Sequence, residues 1–210
     1  LIIDLCLIIS KRKTDSVAKF LAKNNSFKTD SLMVYTKDRI NVLGTIVGEL
    51  DSQNINVLDA RLYGTKDGYC LDHIIVSDQK GNPLKMGKDK IKYIELNIIN
   101  SLEKEKLIPK LVKKKMPRHF LTLKRDTQIE ISHDMINRWT QLDIKTADRP
   151  GLLSSICNVF AQHNAFIKKA RISTYGERAE DRFCISSLEE TPFLKKRELD
   201  KLVSALKESL

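Results

Sequence analysis

What this chain lacks excludes most of the covalent chemistry a protein of its size could carry. Its four cysteines, Cys6, Cys70, Cys157 and Cys184, show no Cys-x-x-Cys spacing, so spacing builds neither a thiolate zinc site nor a dithiol redox pair. Three of them lie in apolar runs, where a thiol behaves as a small hydrophobe; this fits a reducing compartment, and a cytoplasmic location is expected. The histidines His73, His119, His133 and His163 form no His-x-x-x-His and none pairs with a cysteine at ligand spacing. His133-Asp134 is the one His-Asp dipeptide, without the further ligands a metal-dependent hydrolase needs. Phosphate-binding glycine loops, a Gly-x-Ser-x-Gly elbow and a Gly-Ser followed by paired acids are all missing. Neither a catalytic residue nor a cofactor or metal is therefore expected in this chain. No apolar run reaches the roughly 18 residues that span a bilayer. The opening 1–9 run is short, carries Asp4 and has no cleavage signal, so no membrane contact is expected.

Basic residues are plentiful: 37 Lys and Arg against 27 Asp and Glu, a net charge of +10. Such a balance can mark nucleic acid or membrane binding, but the excess is concentrated. It lies in Lys11-Arg12-Lys13 and between Lys104 and Arg125, including Lys113-Lys114-Lys115 and Arg118. That second stretch reads as a solvated linker in preference to a docking site for an acidic protein, and nucleic acid ranks last. The chain opens on Leu1 inside an apolar run, so it is expected to be a piece of a longer protein.

Two stretches repeat. Thr36-Lys37-Asp38-Arg39-Ile40-Asn41-Val42-Leu43 returns as Thr146-Ala147-Asp148-Arg149-Pro150-Gly151-Leu152-Leu153. In the same register Ile46 matches Ile156, Leu50 matches Phe160, Asn54 matches Asn164, Val57 matches Ile167, and Ala60-Arg61 matches Ala170-Arg171. A constant offset of 110 residues defines a tandem module. A module of about 60 to 80 residues buries only about 60% of its unfolded surface and is marginal alone, so the two copies are expected to pack together.

Each copy reads as strand, helix, strand, strand, helix. In the second, 141–145 alternates as a half-buried strand, and Leu152, Leu153, Ile156 and Phe160 follow at helical spacing. Asn54 and Asn164 suit left-handed caps at the helix ends. The apolar parity of the next strand breaks between Val57 and Ala60 and again between Ile167 and Ala170, which predicts a β-bulge in both copies. Strands at 71–76 and 183–186 precede amphipathic helices through Ile91, Ile94, Ile98 and Leu102, and through Leu199, Leu202, Val203 and Leu206. A stretch at 120–131 is expected to give the first copy its fourth strand, and Leu5–Ile9 to give the second copy its own. The fold class is α+β: two ferredoxin-like βαββαβ sandwiches in tandem, each an antiparallel sheet with helices on one face. The expected boundaries are 1–29 for an N-terminal strand and linker, 30–132 for the first domain with a basic linker at about 103–118, and 136–210 for the second. RNA-binding domains share this fold but stack bases on aromatics of the central strands. Tyr69–Ile74 and Asp181–Cys184 lack that alternation, so no RNA partner is expected.

The strand-to-helix turn is the best-preserved part of the repeat, and it is the candidate site. Free amides at a helix N-terminus, with the helix dipole behind them, attract carboxylates. Gly151 leaves that backbone unobstructed, and Asp148 places a negative charge beside it that suits an α-ammonium group. The candidate ligand-binding residues are Asp148, Arg149, Gly151, Leu152 and Leu153 in the second copy, with Asp38, Arg39, Asn41 and Val42 in the first. The competing reading is that Asp38 and Asp148 are simple N-caps, worth about 1 kcal/mol. Arg61 and Arg171 read as exposed strand residues, and Leu43 and Leu153 as core.

Asp148-Arg149-Pro150-Gly151-Leu152-Leu153 resembles the signature turn of ACT domains, which bind amino acids and regulate attached enzymes. The stretch 172–183, with Lys66–Asp72 and Asp78–Leu84, narrows this to the ACT pair of bifunctional uridylyltransferase/uridylyl-removing enzymes of bacterial nitrogen regulation. The resemblance runs from about Leu5 to the C-terminus. It implies a non-catalytic glutamine sensor, with partners in the upstream catalytic domains and the PII signal protein. The parent enzyme would use magnesium to add UMP to PII and to remove it. A module that docks on protein and binds no small molecule is the alternative. Ile40-Asn41 departs from the family's Pro-Gly, which favours the second turn as the binding site.

Overall fold

A computed structural model describes residues 10, 15–21, 29–107, 127–149, 151–175 and 178–210. The first unit runs β1 (Val17–Leu21), β2 (Asp30–Lys37), α1 (Val42–Ser52), β3 (Asn56–Gly64), β4 (Tyr69–Ser77) and α2 (Lys88–Leu102). The second runs β5 (Gln128–Asp134), β6 (Trp139–Ala147), α3 (Leu152–Gln162), β7 (Phe166–Arg171), β8 (Thr174–Tyr175), β9 (Arg178–Ser186) and α4 (Lys196–Ser209). The antiparallel sheets have the orders β1-β2-β4-β3 and β5-β6-β9-β7, with β8 added beside β9. This is the strand order of a ferredoxin-like sandwich, and the class is α+β. In each unit, however, the outer strand precedes the module in sequence instead of following it.

That corrects the expectation for the fourth strands. Residues 120–126 lie outside the described residues, and the rest of the stretch 120–131 does not close the first sheet: Gln128 pairs with Lys145 and Ile131 with Leu142, inside the second unit. The cause is local. Asp134 Oδ1 accepts the Asn137 amide proton at 2.8 Å and Arg138 adopts a left-handed φ of 60°, so the chain reverses at once into a hairpin. Closing so short a loop costs less entropy than returning to a distant sheet. The boundary expected between 132 and 136 falls inside this hairpin. The first sheet takes its outer strand from Val17–Leu21, and the segment Leu5–Ile9 lies outside the described residues. The edge beside β6 that it was expected to fill is held by β5.

Elsewhere the repeat governs the local structure. Asn41 and Gly151, the residues before α1 and α3, both sit in the left-handed region, at φ 72° and 80°. Asparagine is among the few non-glycine residues that tolerate it, so Ile40-Asn41 preserves the turn. Both helices end alike. Asn54 and Asn164 are left-handed at φ 59° and 52°. The Ile55 and Ala165 amides return to the Leu50 and Phe160 carbonyls at 3.0 and 2.8 Å, which is the Schellman arrangement. The predicted bulges are present, with Leu58 and Lys168 as the extra residues.

The units meet through α1 against α3 and through the edge strands β3 and β7. The Ser154 hydroxyl donates to the Asp51 carboxylate across this seam. One continuous apolar core runs beneath both sheets, from Leu32 and Ile46 to Phe160 and Leu206. In the second unit Phe160 meets Phe183 edge-on at 5.0 Å between centroids, and both are fully buried. Phe160→Ala should therefore cost about 3–5 kcal/mol, read as a lowered urea midpoint. Ile136→Ala, at a residue 93% exposed, should leave the midpoint within about 0.5 kcal/mol.

Candidate functional site

Each strand-to-helix turn opens towards the other unit, which gives the seam two related corners. The second-copy corner is a cavity of about 530 Å³, within the roughly 300–1,000 Å³ range of small-molecule sites. Asp148, Arg149, Gly151, Leu152 and Leu153 line it from the second unit. Val47, Asp51, Val57, Leu58 and Gly81 close it from the first. The first-copy corner brings together Asp38, Arg39, Asn41 and Val42 with Ile167 and Lys168 of the second unit, but holds only about 30 Å³. That is about the share of one water molecule. All nine candidate residues thus stand at the seam, five around the large cavity and four around the small one.

The side chains of the turn divide into two roles. Asn41 and Gly151 occupy the cap positions, and neither helix has a side-chain cap bond. Asp38 and Asp148 therefore are not the N-caps that the competing reading made them. The arginine head groups are engaged by the protein itself. Arg39 donates to the carbonyl of Leu102, the last residue of α2, and to that of Lys104 just past it, the latter at 3.0 Å, and Arg149 donates to the Ser209 carbonyl at the end of α4. A guanidinium there satisfies carbonyls that a helix end leaves open and complements its negative pole. The Asn41 amide is likewise engaged, donating to the Leu107 carbonyl at 3.2 Å.

A second carboxylate stands behind each turn. Asp72 on β4 and Asp181 on β9 are 1% and 3% exposed, and each lines its corner. Asp72 Oδ1 has no hydrogen-bond partner among the described residues, while Asp181 Oδ1 accepts the Ser173 amide proton at 3.3 Å. Burial, with a smaller contribution from the neighbouring Asp38, pushes Asp72 up to about 8 against the pull of the Cys70 hydrogen bond. Burial, opposed by the Ser173 amide and aided by Asp148, brings Asp181 up to about 7. Asp38 rises to about 6 through burial, against the pull of Lys168, and burial also raises Asp148. Two acids that share a poorly solvated corner resist ionising together.

Strand parity carried the signal for this inner pair. Asp72 shares its face with Cys70, Ile74 and Val76, and Asp181 with Ala179, Phe183 and Ile185, all buried. A carboxylate on the core face at matching places in both copies is a departure from the pattern that sequence reading passed over. No cluster of three or more His, Cys, Asp or Glu side chains suited to a metal ion occurs among the described residues. No helix among them is long and apolar enough to cross a membrane. Cys70, Cys157 and Cys184 are buried and unbridged, and burial pushes the Cys157 thiol well above its usual range.

No protein-family model matches the chain. Its curated relatives include the bifunctional uridylyltransferase/uridylyl-removing enzymes of Vibrio cholerae and Photobacterium profundum. The first is 32% identical over 171 residues, covering 81% of this chain and 19% of the relative. The second is 32% identical over 190 residues, covering 90% and 21%. The enzyme of the same name from Pseudomonas aeruginosa is 28% identical over 179 residues, covering 85% and 20%. The chain thus spans about a fifth of the length of the relatives it matches. Among solved structures, an aspartate kinase from Synechocystis aligns over 86% of this chain and 26% of its own, at 13% identity and a TM-score of 0.46.

The inner acids set a pH dependence of stability. An unfolded aspartate ionises near 3.8, whereas Asp72 does so at about 8 and Asp181 at about 7 in the fold. Between those limits the native state binds more protons than the unfolded chain, so stability falls as pH rises from about 4 to about 8. The double variant Asp72→Asn, Asp181→Asn should show a smaller drop in urea midpoint between pH 5 and pH 8 than the wild type. An equal drop in both proteins would contradict the burial of these charges.

Proposed function

We propose that this chain, homologous to about a fifth of the bifunctional uridylyltransferase/uridylyl-removing enzymes it matches, is the amino-acid-sensing regulatory part of such an enzyme. The observation that carries the reading is the 530 Å³ cavity at the seam. It combines a helix N-terminus, three carboxylates (Asp51, Asp148 and Asp181) and an apolar wall. An α-amino acid fits that set by charge. Its carboxylate meets the amides opening α3, where the Leu152 amide is already used by the Arg149 carbonyl at 3.0 Å and those of Leu153 and Ser154 come next. Its ammonium sits by Asp148 and Asp181, and its side chain runs along Val47, Val57 and Leu58 of the first unit. Glutamine is the amino acid that the family resemblance names.

The cavity wall comes from both units, so an occupant bridges them and favours the seam geometry that fits it best. Only such differential affinity can pass a signal onward. In this reading the recipients are the catalytic domains of the parent enzyme, which add UMP to the PII protein or remove it. The chain itself supplies the switch and no chemistry. The exposed Met135 and Ile136 at the β5–β6 turn, 61% and 93% exposed, favour a second reading in which the pair only docks on protein.

Calorimetry separates the two. Glutamine should bind and stabilise the chain, while asparagine and glutamate bind more weakly. Asp148→Ala should weaken glutamine at least about tenfold, the value of a hydrogen bond to a charged group, with its unfolding midpoint retained. Because an ammonium needs Asp181 ionised and its carboxyl titrates at about 7, affinity should be lower at pH 6 than at pH 8. If none of the twenty amino acids binds, the sensor reading fails and the docking reading stands.

A further inference from the structure

The two corners share a backbone but differ in what the opposite unit pushes into them. The bulge residue of β3 or β7 reaches across the seam: Leu58 lines the large cavity and Lys168 the small one. These residues are equivalent in the repeat, each being the extra residue of its bulge. Bulges re-aim a side chain at sheet edges, and here the re-aimed groups are an isobutyl and an ammonium.

A second exchange accompanies the first. In the turn after β4, the Gly81 amide donates to the Asp78 carbonyl at 3.1 Å. In the turn after β9, the Glu190 amide donates to the Ser187 carbonyl at 3.0 Å. Gly81 and Glu190 are thus also equivalent, and both are left-handed, at φ 79° and 54°. Gly81 lines the large cavity. Glu190 instead projects a carboxylate that holds the Lys168 ammonium at 2.9 Å. Where the open corner has a leucine and a bare backbone, the closed corner has a lysine tied to a largely exposed carboxylate.

We propose that the Lys168–Glu190 pair is a built-in plug of the first corner, with the Lys168 ammonium acting on Asp38 where a ligand's ammonium would act on Asp148. The pair of units then takes one amino acid per chain, at the second corner. This rests on the amino-acid reading for the open corner alone; the plug itself is a property of the fold. Its electrostatics agree. Lys168 lowers Asp38 against the rise that burial imposes, while Glu190 acts in the opposite sense. Asp72 and the Arg39 guanidinium complete the charges around the small cavity, and Arg39 is committed to the carbonyls at and just past the end of α2.

Two measurements on the full chain test this. In carboxyl-detected NMR titrations, Lys168→Met should raise the Asp38 midpoint by on the order of one pH unit, and Lys168→Arg should restore it. An unmoved midpoint overturns the plug. In equilibrium dialysis with glutamine, the wild type should bind one molecule. The double variant Lys168→Leu, Glu190→Gly, which installs the residues of the open corner, should bind two. Two molecules on the wild type, or one on both proteins, overturns the proposal. No binding to either protein sinks the sensor reading, and the Asp38 titration then decides the plug alone.

Discussion

The seam exists because neither unit can bury its own helices. A four-stranded sheet with two helices on one face leaves the flank of α1 or α3 apolar, and a module of this size has too little interior to be stable alone. Packing α1 on α3 and β3 beside β7 joins the two interiors into one core. It also forces each strand-to-helix turn to face the opposite unit. Everything that can bind, close or switch in this molecule follows from that forced meeting. A turn on an isolated module would open into solvent, where its acids would be screened and its helix dipole of little use.

Burial then gives the acids their character. An aspartate in water is ionised at neutral pH and indifferent to its neighbours. Asp72 and Asp181 have lost their solvent and stand beside a second carboxylate, so each is held between its neutral and its charged form near physiological pH. Such a pair demands a cation. The fold answers the demand in the first corner with a lysine brought by the other unit; in the second, Lys80 and Arg149 line the cavity, but neither side chain's charge acts on Asp148 or Asp181. The asymmetry includes two substitutions at the bulge and in the turn before the last helix of each unit, beside Asn41 against Gly151 in the turn itself.

The local grammar was readable in advance. The constant offset of 110 residues, the parity breaks at both bulges and the asparagines that end both helices all follow from periodicity and backbone preference. These are properties of a few neighbouring residues. The outer strands were not readable in this way. Gln128–Asp134 alternates like a strand that could join either sheet, and what decides is the tight turn at Asp134–Arg138, which makes the nearest partner the cheapest. The arginines misled for a related reason. Arg39 and Arg149 adjoin the turn in sequence, but their long side chains reach helix ends about 60 residues away. Adjacency along the chain set where they start and not where they bind.

The sequence by itself determined the repeat, the α+β class, the left-handed asparagines that end α1 and α3, and the choice of Asp38 and Asp148 as charges beside the turns that open them. Each is dictated by side-chain pattern or by the φ a residue tolerates. Only the tertiary structure decided that Asp72 and Asp181 stand behind those turns, that one corner is a cavity and the other is filled, and that Leu58 and Lys168 make the difference. Those outcomes depend on which groups lose their water when two surfaces meet, and that is a property of the packed pair and of no segment within it.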